Sequence, residues 1–181
     1  VDIDHPSCID ACDMQGVVWI DLNRDGWREL VIGGQMVRIG IFANQNGVIS
    51  ANNAIRLDDV PNLIGIIGVD MDRNGYLDIV AANREGGTMI YLNNGGSIPG
   101  TASWTDREHL GSYSGISAAD WDIAGGIDLI IHSRNEVRIL GTAFDNDGDM
   151  VPDDDYDDLA QIKNADADRM PMDPTQWADN D

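Results

Sequence analysis

The sequence predicts an all-β fold, a partial β-propeller of about three four-stranded blades over residues 17–140, followed by an irregular acidic tail over 141–181. Three observations predict it. A motif recurs three times at a spacing of about 50 residues. The apolar runs around each copy are short and rich in Val and Ile, which favours strands over helices. The charge is unevenly spread, with 13 of the 32 acidic residues in the last 41 positions.

The repeat reads "VVWIDLNRDGWRELVIGG" from Val17, "IIGVDMDRNGYLDIVAAN" from Ile66 and "ISAADWDIAGGIDLIIHS" from Ile116. The first aspartates, Asp21, Asp70 and Asp120, are 49 and 50 residues apart. Each copy has an apolar run, an acidic turn with glycine sixth (Gly26, Gly75, Gly125) and a second apolar run. These two runs form an inner hairpin. Further strands follow as "MVRIGIFAN" and "AIRLDD" in the first unit, "TMIYLNN" and "SWTDREHL" in the second, and "EVRILGTAF" in the third. Turns such as "NQNG" and "NNGG" separate them. Four strands per roughly 50 residues is the arithmetic of a propeller blade. Three units fall short of the usual four or more, and the third lacks a clear fourth strand. An incomplete set leaves unpaired edges, which invite pairing with another chain. Residues 1–16 are one candidate to extend a blade, in cis or in trans.

The acidic turns carry the chemistry. In the second, Asp70, Asp72, Asn74 and Asp78 put oxygen side chains at positions one, three, five and nine, and the Tyr76 carbonyl stands at seven. Alternate positions of a tight loop point at one centre, which is how an EF-hand loop begins around calcium. The ending differs, because Asp78 closes the loop early and no helices flank it. The first turn matches, with Asp21, Asn23, Asp25, the Trp27 carbonyl and Glu29. The third keeps Asp120, Asp122 and Asp128 but has Ala124 at five, so it predicts a weak site or none. The plainer alternative is a set of polar turns, since Asp, Asn and Gly favour turns anyway.

The three units resemble FG-GAP or VCBS repeats, the calcium-loop blades of integrin-like propellers. That resemblance implies calcium held at one rim, in a structural role, with ligand recognition on other loops. The tail resembles a different family. "FDNDGDMVPDDDYDD" is similar to bacterial thrombospondin type 3 repeats, and this implies a further site of Asp145, Asp147, Asp149, the Val151 carbonyl and Asp153. Met150 departs from that pattern, where glycine is usual. "MPMDPTQWADND" resembles the linker between such repeats, so an array continuing beyond the chain, or completed by another molecule, is expected. A disordered acidic linker is the alternative for this segment. Together the loops predict two to four calcium ions.

Composition bounds the rest. The formal net charge is −21. Such a surface argues against nucleic acid, whose phosphates need Lys and Arg, and suits hard cations with oxygen ligands. No run approaches the roughly 18 apolar residues of a membrane span. The absence of an initiating Met or a signal peptide reads as a processed chain or a fragment. Cys8 and Cys12 lie close together in the N-terminal segment 1–16. A local disulfide is the first choice if the chain is secreted. His5 with both thiols as a soft-metal site, or two free thiols, are the alternatives.

No catalytic constellation emerges. His5, His109 and His132 sit in unrelated contexts, and His132 reads as structural. "GSYSG" has Tyr113 where a nucleophile elbow needs Ser. The chain is therefore expected not to be an enzyme. The functional expectation is a secreted, calcium-binding structural or adhesive protein that self-associates, by completing a ring or as an extracellular filament. The alternative is a lectin-like module binding a glycan or cell-surface ligand through exposed aromatics, and a third reading is a hydrolase accessory domain. Trp27 and Tyr76 share loop position seven, whereas Trp19 and Trp121 flank strand–loop junctions and read as packing residues. No Asn-x-Ser/Thr sequon occurs.

Overall fold

A computed structural model describes the protein at residues 14–34, 37–50, 54–60, 62–84, 87–105, 113–121 and 126–140. Cys8 and Cys12, the acidic tail, and Asp122 of the third loop lie outside the described residues. All regular structure among the described residues is β, in small antiparallel sheets without a closed barrel. This is the predicted fold class, with the sheet units of a partial propeller.

The first sheet orders β1 (Met14–Ile20), β2 (Glu29–Gly34), β3 (Val37–Phe42) and β6 (Ile55–Asp59) from one edge to the other. Between β3 and β6 the chain makes a separate hairpin, β4 (Asn44–Gln45) with β5 (Val48–Ile49). Its turn residues Asn46 and Gly47 have φ of +53° and +86°. This is the left-handed pair that suits the twist of a two-residue hairpin. The sequence reading takes "NQNG" only as a spacer, so this small sheet is an addition. The second sheet repeats the blade plan with β7 (Leu63–Val69), β8 (Asp78–Asn83), β9 (Thr88–Tyr91) and β10 (Trp104–Thr105), again in chain order across the sheet. Of the expected fourth strand "SWTDREHL", Trp104 and Thr105 pair with β9, and residues 106–110 lie outside the described residues. The third sheet has three described strands, β11 (Tyr113–Ala119), β12 (Asp128–Ser133) and β13 (Val137–Leu140).

The chain divides into two compact units, Val1–Ile116 and Ser117–Asp181, and the division falls inside β11. Within the first unit the two four-stranded sheets share one core. Ile20, Val31, Ile39, Ile41 and Leu57 come from the first sheet, and Leu63, Ile66, Ile79, Ala81 and Tyr91 from the second. Each fully buried large aliphatic contributes roughly 1.5–3 kcal/mol. Alternation along the strands sets which side chains enter this core. Gly16, Val18 and Ile20 of β1 share the face toward β7, while Val17 and Trp19 point the other way and are exposed. Two glycines let the sheets approach. A Cβ at Gly68 would lie 2.7 Å from Ile20 Cδ1, and one at Gly16 would lie 2.9 Å from Ile66 Cγ1.

Three side-chain expectations change. Trp19 and Trp121 are half-exposed, not packed. For Trp19 the cause is its position on the outward face of β1. His132 lies on β12 opposite Val137 and is exposed. Val137 is itself half-exposed, so among the described residues this end of the hairpin enters no core.

Candidate metal centre

The first acidic loop joins β1 to β2 and the second joins β7 to β8. They are built alike, bond for bond. Position one accepts the N–H of the sixth-position glycine, Gly26 to Asp21 Oδ2 at 3.0 Å and Gly75 to Asp70 Oδ2 at 2.9 Å. Position three accepts the N–H of position five, Asp25 to Asn23 Oδ1 at 2.9 Å and Asn74 to Asp72 Oδ1 at 3.1 Å. Position five accepts the N–H of position seven, Trp27 to Asp25 Oδ1 at 2.7 Å and Tyr76 to Asn74 Oδ1 at 2.8 Å. Position nine reaches back to the N–H of position two, Leu22 to Glu29 Oε2 at 2.9 Å and Met71 to Asp78 Oδ2 at 2.6 Å. These side chain–backbone turns are what short polar residues favour over regular structure.

Left-handed backbone closes both turns. Arg24 and Arg73 at position four have φ of +61° and +54°, and Gly26 and Gly75 at position six have +88° and +90°. Glycine adopts that region freely and a side-chain-bearing residue does not. Two arginines held there in equivalent loops mark a conformation fixed by the surrounding bonds.

In the second loop the geometry fits a cation. Carboxylate oxygens of Asp70, Asp72 and Asp78 all lie within 4.8 Å of one another. Oxygens on opposite sides of a calcium ion stand about 4.6–5.2 Å apart, twice the bond length of about 2.3–2.6 Å. The other Asp70 oxygen, Oδ1, is buried without a hydrogen-bond partner, and Asp21 Oδ1 in the first loop is in the same state. Asp78 is fully buried. Desolvation raises its pKa above the usual carboxylate range, opposed by N–H bonds from Asn93 and Met71, while the charges of Asp72 and Asp70 raise it further. Glu29 is similarly raised by burial, against the N–H of Leu22 and with repulsion from Asp25. A cation among these oxygens would remove the repulsion and occupy the orphaned lone pairs.

Among the described residues the convergence within 4.8 Å is confined to the second loop. The first loop has Asn23, not an acid, at position three, and its amide donates to Asp25 Oδ2 at 3.0 Å. In the second loop the Asn74 amide likewise donates to Asp72 Oδ2 at 3.0 Å, while its oxygen takes the Tyr76 N–H. The third loop keeps the position-nine bond, Trp121 N–H to Asp128 Oδ2 at 3.0 Å, and buries Asp128, but leaves Asp120 exposed. The tail residues Asp145, Asp147, Asp149, Val151 and Asp153 lie outside the described residues.

The sequence reading misses Asn93, the residue that ties the two loops together. Its side chain is fully buried. The Asn93 amide donates to the Leu22 carbonyl of the first loop at 2.7 Å and to the Leu77 carbonyl of the second at 3.0 Å. Its own N–H donates to Asp78 Oδ1 at 2.7 Å, its carbonyl accepts from the Asn74 amide at 2.8 Å, and its Oδ1 accepts from Gly96 N–H at 2.8 Å. The signal available in sequence was "LNNGG", which reads as a turn. A second tie lies at the surface. The Arg24 guanidinium of the first loop sits 5.2 Å from the centre of the Tyr76 ring of the second, within cation–π range.

Small antiparallel sheets whose inner hairpins carry paired acidic loops define a repeat of the propeller-blade class. Residues 21–81 match the family model of the FG-GAP-like repeat. The match starts at the first aspartate of the first loop and runs through the second loop into β8. No curated protein matches the chain.

Proposed function

We propose that the protein is a secreted, cell-surface or extracellular structural and adhesive module whose loops and tail are held by calcium, and which self-associates. The observation that carries the calcium reading is the convergence of carboxylate oxygens of Asp70, Asp72 and Asp78, in a loop that also buries Asp70 Oδ1 without a hydrogen-bond partner. Asp70, Asp72 and Asp78, with the Asn74 side chain and the Tyr76 carbonyl, would hold one ion, and Asp21, Asn23, Asp25, Glu29 and the Trp27 carbonyl a second. Bound calcium would supply positive charge and no reaction. The chain's own residues set the loop conformation, keep β1–β2 and β7–β8 in register and exclude water from Asp78. Asp120, Asp122 and Asp128 are a weaker candidate site. The tail residues Asp145 to Asp153 extend the reading to a total of two to four ions. An FG-GAP-like match over residues 21–81 supports an adhesive module rather than a catalyst.

The test compares calcium-loaded and chelated protein by calorimetry, thermal melting and limited proteolysis. Saturating calcium should raise the melting temperature and slow cleavage, since a ligand at 100 times its Kd stabilises by about 2.7 kcal/mol. Asp70→Asn should weaken calcium binding at the second loop and leave the fold in place. Identical melting and proteolysis with and without chelator would refute the proposal.

A second reading, a lectin-like module, has one observation in its favour. Trp27, Trp104 and Trp121 are 42%, 47% and 51% exposed, as rings that stack on sugars would be. Tyr76 contributes less to it, because Arg24 lies over its ring. Glycan binding lost in Trp27→Ala would support this reading, and a glycan array without hits would remove it.

A further inference from the structure

The inner strands of the repeat meet through a recurring contact. The glycine that begins each "G-V/I" pair receives the aliphatic residue of the next strand in the series. A Cβ on Gly16 of β1 would lie 2.9 Å from Ile66 Cγ1 of β7. A Cβ on Gly65 of β7, 49 residues later, would lie 3.1 Å from Ile116 Cγ2 of β11. Each contact therefore uses one face of a strand for its glycine and the opposite face of the next strand for its aliphatic, as strand alternation requires. The series has two unused ends. Gly115 on β11 is the third glycine, and Val17 on β1 is the first aliphatic. Val17 is 65% exposed, and Trp19, on the same face, is 49% exposed. Ser117 and Ala119, which share a face of β11 with Gly115, are exposed. Farther across the first sheet Leu30 and Phe42 are buried, so the open part of that face is the inner strand.

The two ends also set a large side chain against a small one. In the contact between the first two sheets, large Ile20 fills the space over Gly68. Ala119 occupies the Ile20 position in the third repeat, and Trp19 the Gly68 position in the first. The large and small partners are exchanged between the two sides, so a large side chain again faces a small one, as interdigitating close-packed interfaces require. We propose that the β1 face of Val17 and Trp19 docks on the Gly115, Ser117 and Ala119 face of β11 in a second copy of this chain. The contact is head to tail, so two different faces meet and each copy keeps one of each open for the next. It rests on the self-association part of the proposed function and names its surfaces and polarity.

The experiment uses the full chain in saturating calcium, followed by sedimentation equilibrium. Val17→Glu blocks one face and Ala119→Glu the other. Both positions are exposed, so both variants should melt as the wild type does, and Trp19→Ser serves as a milder block of the first face. Each variant alone should associate about thirtyfold or more weakly, the loss typical of an interface hot spot. An equimolar mixture of Val17→Glu and Ala119→Glu should form one-to-one dimers and nothing larger, because one open β1 face then meets one open β11 face. Loss of association in Val17→Glu but not in Ala119→Glu would overturn the proposal, since the β1 face would then meet some other surface. Undiminished association in both variants would overturn it while leaving self-association standing. A wild-type chain that stays monomeric would overturn self-association and this contact together.

Discussion

Asn93→Ala tests whether one buried amide holds two loops. The substitution removes two donor bonds, to the carbonyls of Leu22 and Leu77, and one acceptor bond, from Gly96 N–H. It leaves the backbone bond from Asn93 N–H to Asp78 in place. A typical buried hydrogen bond contributes about 1 kcal/mol net, so three lost bonds cost about 3 kcal/mol. The cost should appear in urea unfolding of the ion-free protein, read by tryptophan fluorescence, as a lower midpoint with an unchanged slope. A local readout separates this from general damage. The Gly96 amide loses its acceptor and should exchange with deuterium roughly a hundredfold faster, while amides in β12 and β13 keep their rates. Asn93→Asp keeps the shape but turns an acceptor toward two carbonyls beside Asp78, and should be at least as destabilising. Unfolding of Asn93→Ala within about 0.5 kcal/mol of wild type, or faster exchange spread evenly over both units, would refute the bridging role.

Gly68→Ala should destabilise by about 1–3 kcal/mol, because its Cβ would stand 2.7 and 2.8 Å from Ile20 Cδ1 and Cγ1. Pairing it with Ile20→Ala should cost less than the sum of the two single changes, and strict additivity in urea unfolding would sink the steric account. Gly26→Ala meets no atom within 4 Å, yet its φ of +88° should cost about 1–2 kcal/mol. An unchanged melting temperature would show that the turn relaxes. The raised pKa of Asp78 gives a pH signature in calcium-stripped protein. A carboxyl that holds its proton more tightly when folded stabilises the fold below its unfolded value and loses that contribution as pH rises through its folded value. The unfolding free energy of wild type relative to Asp78→Asn should therefore fall as pH is raised from about 4 toward neutrality, and a flat or rising difference would refute the sign. Calcium favours the ionised form, so its stabilisation should grow over the same pH interval.

Much of the fold was legible because it is periodic. The spacing of Asp21, Asp70 and Asp120 located the hairpins, and Val- and Ile-rich runs located β1, β2, β7, β8 and β12. The polar residues that build the first two loops were legible for the same reason, since Asp and Asn at alternate positions before a glycine favour hydrogen-bonded turns. What was not legible is long-range. Asn93 contacts Leu22 across 71 residues, and nothing in "LNNGG" separates a bridging amide from an ordinary turn residue. The left-handed backbone of Arg24 and Arg73 was hidden for a related reason, because arginine has no propensity that announces it. Trp19 was misjudged because alternation along β1 gives two apolar faces, and local pattern alone does not say which has a sheet against it.

The bridge at Asn93 also changes where the chain can be cut. By sequence, the repeating unit runs from one aspartate loop to the next. By bonding, the first loop is finished only by a residue near the end of the second sheet, so the mechanical unit is offset from the written one by most of a blade. A fragment that stops between β6 and β7 would contain every side chain of the first acidic loop and still leave the Leu22 carbonyl without its donor. Cutting this module after its first blade would therefore break that bond, whereas a cut that carries the following "LNNGG" turn along would keep it.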